Sequence, residues 1–221
     1  KCLKTICKDP TRFSLNGLCV KFDSESKSLK FISTDGVAMS FFEVENQDID
    51  SDFNIIIPNN SISSILKILK NDDIINISLS DKKLKISCGD ISLVTKLVDG
   101  EFPNVEAVIP KDNNQIIKIN RLKLLSSLDR IMVSAKDNSL VKFNFNDNGL
   151  SLDYTSGNFS ANEVIDLDSS NNIELGYNGK ILIDILQLLD SVEIDFAVKD
   201  KNTPLLIREG NSQYVVSPIR F

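Results

Sequence analysis

The chain has no histidine and no tryptophan. The first absence removes the commonest general base, the commonest metal ligand and every Ser–His or Cys–His dyad. Cysteine is scarce. Cys2, Cys7, Cys19 and Cys88 contain no Cys-x-x-Cys pair, so neither a zinc site nor a disulfide framework is expected, and the four read as scattered reduced thiols. No apolar stretch reaches the roughly 18 residues that span a bilayer. Lys1-Cys2-Leu3-Lys4 is not followed by the apolar core of a signal peptide. Asn-x-Ser triplets at Asn59, Asn76 and Asn158 would accept glycans in a secreted chain. In so Asn- and Ser-rich a sequence they are expected by chance, and the reading is a soluble intracellular protein. Neither phosphate-binding glycine motif, G-x-x-x-x-G-K-[ST] nor G-x-G-x-x-G, occurs.

What is present is ordinary globular composition: 221 residues, 42% hydrophobic and 25% charged, with a net charge of −6. This length suits one large or two ordinary domains. The acidic total argues against a chain that coats nucleic acid with its whole surface, while leaving room for a local basic face.

Sliding the sequence along itself reveals a repeat. Val20-Lys21-Phe22 recurs as Val141-Lys142-Phe143, and at the same offset Leu29, Phe31, Thr34 and Gly36 meet Leu150, Leu152, Thr155 and Gly157. Ile65-Leu66-Lys67-Ile68-Leu69 then answers to Ile185-Leu186-Gln187-Leu188-Leu189. An ordered series at nearly one offset means two copies of one domain. Polar turn formers at Ile109 to Asn114 mark the seam, giving domains 1–111 and 112–221.

Each copy opens with alternating runs: Leu18, Val20, Phe22 then Leu29, Phe31; Val141, Phe143, Phe145 then Leu150, Leu152. Period two with turn residues between predicts antiparallel hairpins. A helical stripe follows, Ile62, Ile65, Leu66 and Leu69 in one copy and Ile181, Ile185, Leu188 and Leu189 in the other, with Asn59, Asn60 and Ser61 offering N-cap oxygens to the first. Strands resume after each helix, at Ile75–Leu79, Leu84–Cys88 and Ile91–Leu93, then at Val192–Phe196, Leu205–Ile207 and Tyr214–Val216. A further helix, Leu122 to Met132 with Leu125 and Leu128 inward, opens the second copy. Its counterpart is a stub at Cys2 to Cys7, as if the chain began inside a helix. Hairpins too short for parallel crossovers define an α+β module.

Catalytic chemistry is not assembled. Thr34-Asp35-Gly36 has an aspartic-protease flavour, but its repeat mate Thr155-Ser156-Gly157 carries no carboxylate, and that chemistry needs two. A tight turn between strands is the simpler reading. Asp72-Asp73 and the acidic run from Asp195 to Asp200 lack EF-hand spacing and read as solvated turns. No metal and no cofactor is expected, and an enzyme is argued against. Basic residues do gather on the helices: Lys4, Lys8, Lys67, Lys70, Arg121, Lys123 and Arg130. They would suit either a sequence-blind phosphate contact or plain solvation of exposed helix faces.

Leu15-Asn16-Gly17, Thr34-Asp35-Gly36, Lys96-Leu97-Val98-Asp99-Gly100-Glu101-Phe102-Pro103 and Pro218-Ile219-Arg220-Phe221, in this order, resemble the second and third domains of the bacterial sliding-clamp family, the beta subunit of DNA polymerase III. The resemblance runs the whole length. It implies two tandem copies of a DNA-clamp module, with antiparallel sheets outside and paired helices on the inner face. It also implies a non-catalytic processivity factor, cytoplasmic and nucleoid-associated, that encircles duplex DNA as a homodimer ring. The implied partners are the polymerase III alpha subunit, the clamp loader, and other polymerases and repair proteins that dock short peptides. The peptide pocket between the two domains would comprise Leu15, Thr34, Gly36, Met39, Pro103 and Val108 from the first copy. From the second it would take Asn178, Ile181, Val215, Val216, Ser217, Pro218, Ile219 and Arg220. DNA-facing positions would be Arg12, Phe13, Lys67, Lys70, Arg121 and Lys123.

The chain departs from the family pattern at several of these places. Val37-Ala38-Met39 stands where His-Arg-Leu is usual, Ala107 where Arg is common, Ile181 and Ser14 where an aromatic can sit, and Ser217 where Met is frequent. Fewer polar and cationic rim groups imply a different peptide preference. The alternative from another class is a duplicated β-rich interaction module with no DNA role. The family closes its ring by joining a first domain to the third domain of the next protomer, here around Met132 to Phe143. This chain, lacking that first domain, is expected to be a monomer in small-angle scattering; a stable ring-shaped dimer would overturn this.

Overall fold

The structure, a computed structural model, describes residues 1–46, 48–69, 75–133, 135, 139–147, 149–167 and 172–221. Lys70, the Asp72-Asp73 turn and Asn148 of a hairpin turn lie outside the described residues. The chain divides into two compact units, Cys2–Asn104 and Val105–Phe221, with Lys1 grouped with the latter. That division falls upstream of the polar seam at Lys111/Asp112. Val105 is already buried, whereas Lys111 and Asp112 are exposed.

In the first unit, 3-10 turns at Leu3–Thr5 and Phe13–Leu15 precede β1 (Gly17–Asp23), β2 (Ser28–Thr34), β3 (Ala38–Glu45), β4 (Phe53–Pro58), α1 (Asn59–Ile68), β5 (Asn76–Ser80), β6 (Lys83–Cys88) and β7 (Ile91–Lys96). Two antiparallel sheets result, ordered β4-β1-β2-β3 and β5-β6-β7. Ile6, Val20, Ile57, Ile62, Ile65, Leu84 and Ile86 form the core between sheets and helix. The stub expected as helix is only a 3-10 turn. Buried hydroxyls hold it: Thr5 Oγ1 lies 2.6 Å from Ser33 Oγ and donates to Ser40 Oγ at 2.8 Å, while Ser33 Oγ donates to the Cys2 carbonyl at 2.7 Å.

The second unit runs β8 (Gln115–Asn120), α2 (Arg121–Met132), β9 (Leu140–Asn146), β10 (Gly149–Ser156), β11 (Phe159–Ile165), β12 (Ile173–Asn178), α3 (Gly179–Leu186), β13 (Glu193–Val198), β14 (Leu205–Glu209) and β15 (Ser212–Val216). Its sheets are ordered β11-β10-β9-β12 and β15-β14-β13-β8 within the unit, again antiparallel. The order β12-β9-β10-β11 repeats β4-β1-β2-β3, and β13-β14-β15 repeats β5-β6-β7. The duplication read from the sequence is therefore a duplication of topology. Phe143, Tyr177 and Phe196, all fully buried, pack ring against ring at 5.5–6.0 Å. Tyr154 and Tyr214 are buried in this same unit, so all three tyrosines of the chain sit in its core.

Helix details differ from expectation in three ways. The N-cap of α1 is Pro58, which makes no side-chain cap bond, so Asn59, Asn60 and Ser61 do not cap but already belong to the helix. Ser61 instead pairs with Thr95 at 2.5 Å through their hydroxyls. The inward residues of α2 are Leu124, Ser127, Leu128 and Ile131, and Leu125 is only half-buried. The helix thus presents the adjoining i, i+3, i+4, i+7 row. In α3 the buried set is Gly179, Leu182, Ile183, Ile185 and Leu186, while Ile181 is half-buried. Being apolar on nearly every side, it is covered on one side by α2 and on others by β12 and β15.

The repeat exposes a contrast. Leu66 and Leu186 occupy the same repeat position, yet Leu66 is 52% exposed and Leu186 is 0% exposed. The twelve-residue α2 packs on α3, whereas α1 has only the short turn at Leu3–Thr5 as its helical counterpart among the described residues. Leu186→Ala should therefore cost about 2–5 kcal/mol. Leu66→Ala should change stability by no more than about 0.5 kcal/mol. Urea denaturation of the two variants checks this, and equal losses would contradict it.

Candidate functional site

The Thr34–Ala38 segment is a tight turn between β2 and β3, as the sequence suggests. Asp35 Oδ1 accepts from the backbone N–H of Val37 and of Ala38, both at 2.8 Å. Thr34 Oγ1 donates to the Ala38 carbonyl at 2.7 Å and accepts from Gly36 N–H at 3.0 Å. Gly36 has φ +90°, which favours glycine; the nearest atom to a Cβ there would be the movable Arg12 Nη1 at 3.0 Å. Arg12 Nη1 lies close because it donates to the Asp35 carbonyl at 3.0 Å. That hydrogen bond ties the turn to the Arg12–Leu15 segment, forming one corner. It carries half-buried Leu15 and strongly exposed Phe13, with Thr34 and Met39 buried. Pro103 is exposed at the end of the same unit.

Val108, read as part of the first copy, falls in the second unit, in a 3-10 turn at Glu106–Val108, and is exposed. In that unit Asn178 is the N-cap of α3. Its Oδ1 accepts from Lys180 N–H at 2.9 Å and Ile181 N–H at 3.3 Å. Asn178, expected in the peptide pocket, thus commits its side-chain oxygen to the helix terminus and fixes where Ile181 sits. Val215 and Val216 are buried on β15, Val216 completely. Ser217, Pro218 and Ile219 emerge half-buried beyond the strand, and Arg220 is exposed. Ile219 N–H donates to the Gly176 carbonyl at 2.8 Å. The structure thus brings Ile219 and its neighbours to β12 just ahead of Asn178 and the start of α3. Gly176 was missed, although a glycine inside a strand is a sequence signal for close backbone approach.

The basic helix residues divide. Lys67 and Lys123 are exposed on α1 and α2. Arg121 spends its guanidinium on internal carbonyls, donating from Nε to Ser191 at 2.8 Å and from Nη1 to Leu186 at 3.2 Å, where it caps the end of α3. Arg130 forms a two-pronged pair with Glu163 of β11, Nε to Oε1 at 2.7 Å and Nη2 to Oε2 at 2.5 Å. These hydrogen bonds hold the Glu163 carboxyl below its ordinary range and raise Arg130.

Residues 4–104 match the DNA polymerase III beta subunit family's central domain and residues 106–220 its C-terminal domain. The chain belongs to this family. Among its relatives, the beta sliding clamp of Rickettsia bellii is 28% identical over 98% of this chain and that of Pseudomonas aeruginosa 24% over 97%. The chain spans 62% and 60% of their respective lengths. Among solved structures, the sliding clamp of Bartonella birtlesii bound to griselimycin is 29% identical at a TM-score of 0.92, covering 99% of this chain and 62% of that one. A Pseudomonas aeruginosa clamp solved with a ligand gives a TM-score of 0.93 at 23% identity, over 100% and 62%.

The Arg130–Glu163 pair predicts a pH signature. Because the folded-state pKa of Glu163 is depressed, its stabilisation is present above the unfolded carboxylate pKa and is lost as pH falls through the folded value. The urea midpoint of the wild type should therefore fall more steeply from pH 5 towards pH 3 than that of Glu163→Gln. Parallel pH profiles would contradict the assignment.

Proposed function

We propose that this chain is the central and C-terminal part of a sliding clamp. Such a protein catalyses nothing; it encircles duplex DNA and keeps a polymerase at high local concentration on its template. The observation that carries the reading is the ordered match of the two units to the family's central and C-terminal domains, on a chain whose topology is itself duplicated. Partners would be duplex DNA without sequence preference, the polymerase III alpha subunit, the clamp loader, and other polymerases and repair proteins that carry short binding peptides. The site of action would be the nucleoid. No helix among the described residues is long and apolar enough to cross a membrane.

The peptide-receiving residues in this reading are Leu15, Thr34, Gly36, Met39 and Pro103 of the first unit, with Val108, Asn178, Ile181 and Val215 to Arg220 of the second. Leu15, Ile181, Pro218 and Ile219 would supply apolar surface, and backbone from Ser217 onward polar contacts. The chemistry suits an extended peptide bearing Leu and Phe. The DNA-facing residues in this reading are Arg12, Phe13 and Lys67 of the first unit and Lys123 of the second, while Arg121 spends its guanidinium on the Ser191 and Leu186 carbonyls. A net charge of −6, with Arg121 and Arg130 engaged internally, favours the second reading, an interaction module without a DNA role, to the extent that the basic face is thin.

Fluorescence anisotropy of a labelled Gln-Leu-x-Leu-Phe peptide tests the proposal. Saturable binding is expected for the intact chain and its loss for a variant ending at Ser217. Absence of binding at high micromolar concentration would leave the fold without this function.

A further inference from the structure

The segment that follows β15 is held at Ile219 and also, at Phe221, by a contact that none of the peptide-receiving residues supplies. On the outward side of the β9–β12 pair, Lys142 stands directly opposite Gly176. The chain returns over that glycine: a Cβ on Gly176 would lie 2.6 Å from the Ile219 carbonyl oxygen and 2.7 Å from both Leu140 Cδ1 and Phe221 Cδ1. The Ile219 N–H donates to the Gly176 carbonyl at 2.8 Å. The Lys142 ammonium then sits 4.2 Å from the centroid of the Phe221 ring, within cation–π range. The ammonium also lies 3.7 Å from Glu174 Oε1, two residues before Gly176 on β12, and Asp153 of β10 stands opposite Lys142 on its other side. An extended segment just beyond a strand would otherwise be loosely ordered; here it is clasped at both Ile219 and Phe221.

We propose that Lys142 and Phe221 are positioning residues for the partner peptide. The clasp closes the segment Ser217–Phe221 onto β12 and so presents Pro218, Ile219 and Arg220 in one conformation, without either clasp residue touching the peptide. The inference rests on the peptide-binding reading above. Preordering a receiving segment raises affinity because the ordering cost is met before binding. An aromatic ring under a cation is specific in chemistry. Arg for Lys142 and Tyr for Phe221 preserve it, and Gln and Ala do not.

Two readouts on the full chain test this. Hydrogen exchange at the Ile219 amide reports the clasp itself: Lys142→Gln and Phe221→Ala should each speed exchange there, while Lys142→Arg and Phe221→Tyr should match the wild type. Peptide anisotropy reports the role: the same two disabling variants should weaken binding roughly two- to fivefold, the factor an exposed cation–π contact is worth, with wild-type melting temperature and with rescue by the conservative pair. Unchanged exchange in both disabling variants overturns the clasp. Faster exchange with unchanged affinity overturns the positioning role. If the wild type binds no peptide while exchange still responds as expected, the peptide-binding reading fails and takes the positioning role with it, whereas the clasp stands.

Discussion

Burial of α3 is the constraint on which the second unit depends. A helix reading Gly-Lys-Ile-Leu-Ile-Asp-Ile-Leu has no wide polar face to turn to water, so it must be covered almost all round. The cover is α2 on one side and the strands β12 and β15 on others. Both ends are then satisfied internally, by the Asn178 side-chain oxygen at the N-terminus and by the Arg121 guanidinium at the Leu186 carbonyl at the C-terminus. Two residues that the family pattern assigns to partners are therefore first of all helix caps. A substitution at either one perturbs the scaffold before it perturbs any ligand, and loss of binding alone does not identify a contact residue.

Much of the fold was legible because hairpin strands with one buried face alternate. β1, β2, β9 and β10 follow from Val20-x-Phe22 and its repeat, and the Thr34–Ala38 turn from its Asp and Gly. β4 was not legible: Phe-Asn-Ile-Ile-Ile-Pro is a nearly continuous apolar run without period. β8 and β11 were missed for the opposite reason. They are edge strands within their unit, so Phe-Ser-Ala-Asn-Glu-Val-Ile can be polar on much of its length. Helix faces were misjudged where burial comes from tertiary cover. The apolar row through Leu66 looks as inward as that through Leu186, and only the presence of α2 distinguishes them.

The candidate site was legible only through resemblance. Nothing in the spacing of Leu15, Thr34 and Met39 announces a binding surface, since each alone is an ordinary core or turn residue. The family pattern supplied the set, and the structure added how its members are held: Arg12 bracing the Asp35 carbonyl, Asn178 capping, Ile219 hydrogen-bonded to β12. The basic helix residues were the weakest part of the sequence reading. Charge counted along a chain says nothing of Glu163 waiting on a neighbouring strand for Arg130, or of backbone carbonyls waiting for Arg121.

The distribution of aromatic residues has an optical consequence. With no tryptophan in the chain and all three tyrosines buried in Val105–Phe221, intrinsic fluorescence excited near 280 nm (an approximate tyrosine band) originates from one unit alone. Tyr154, Tyr177 and Tyr214 pass together from an apolar interior to water when that unit opens. The first unit, whose rings are all phenylalanine, is dark in the same channel. The protein thus carries a built-in reporter for the melting of its second half, and circular dichroism, which sees both, supplies the first by difference.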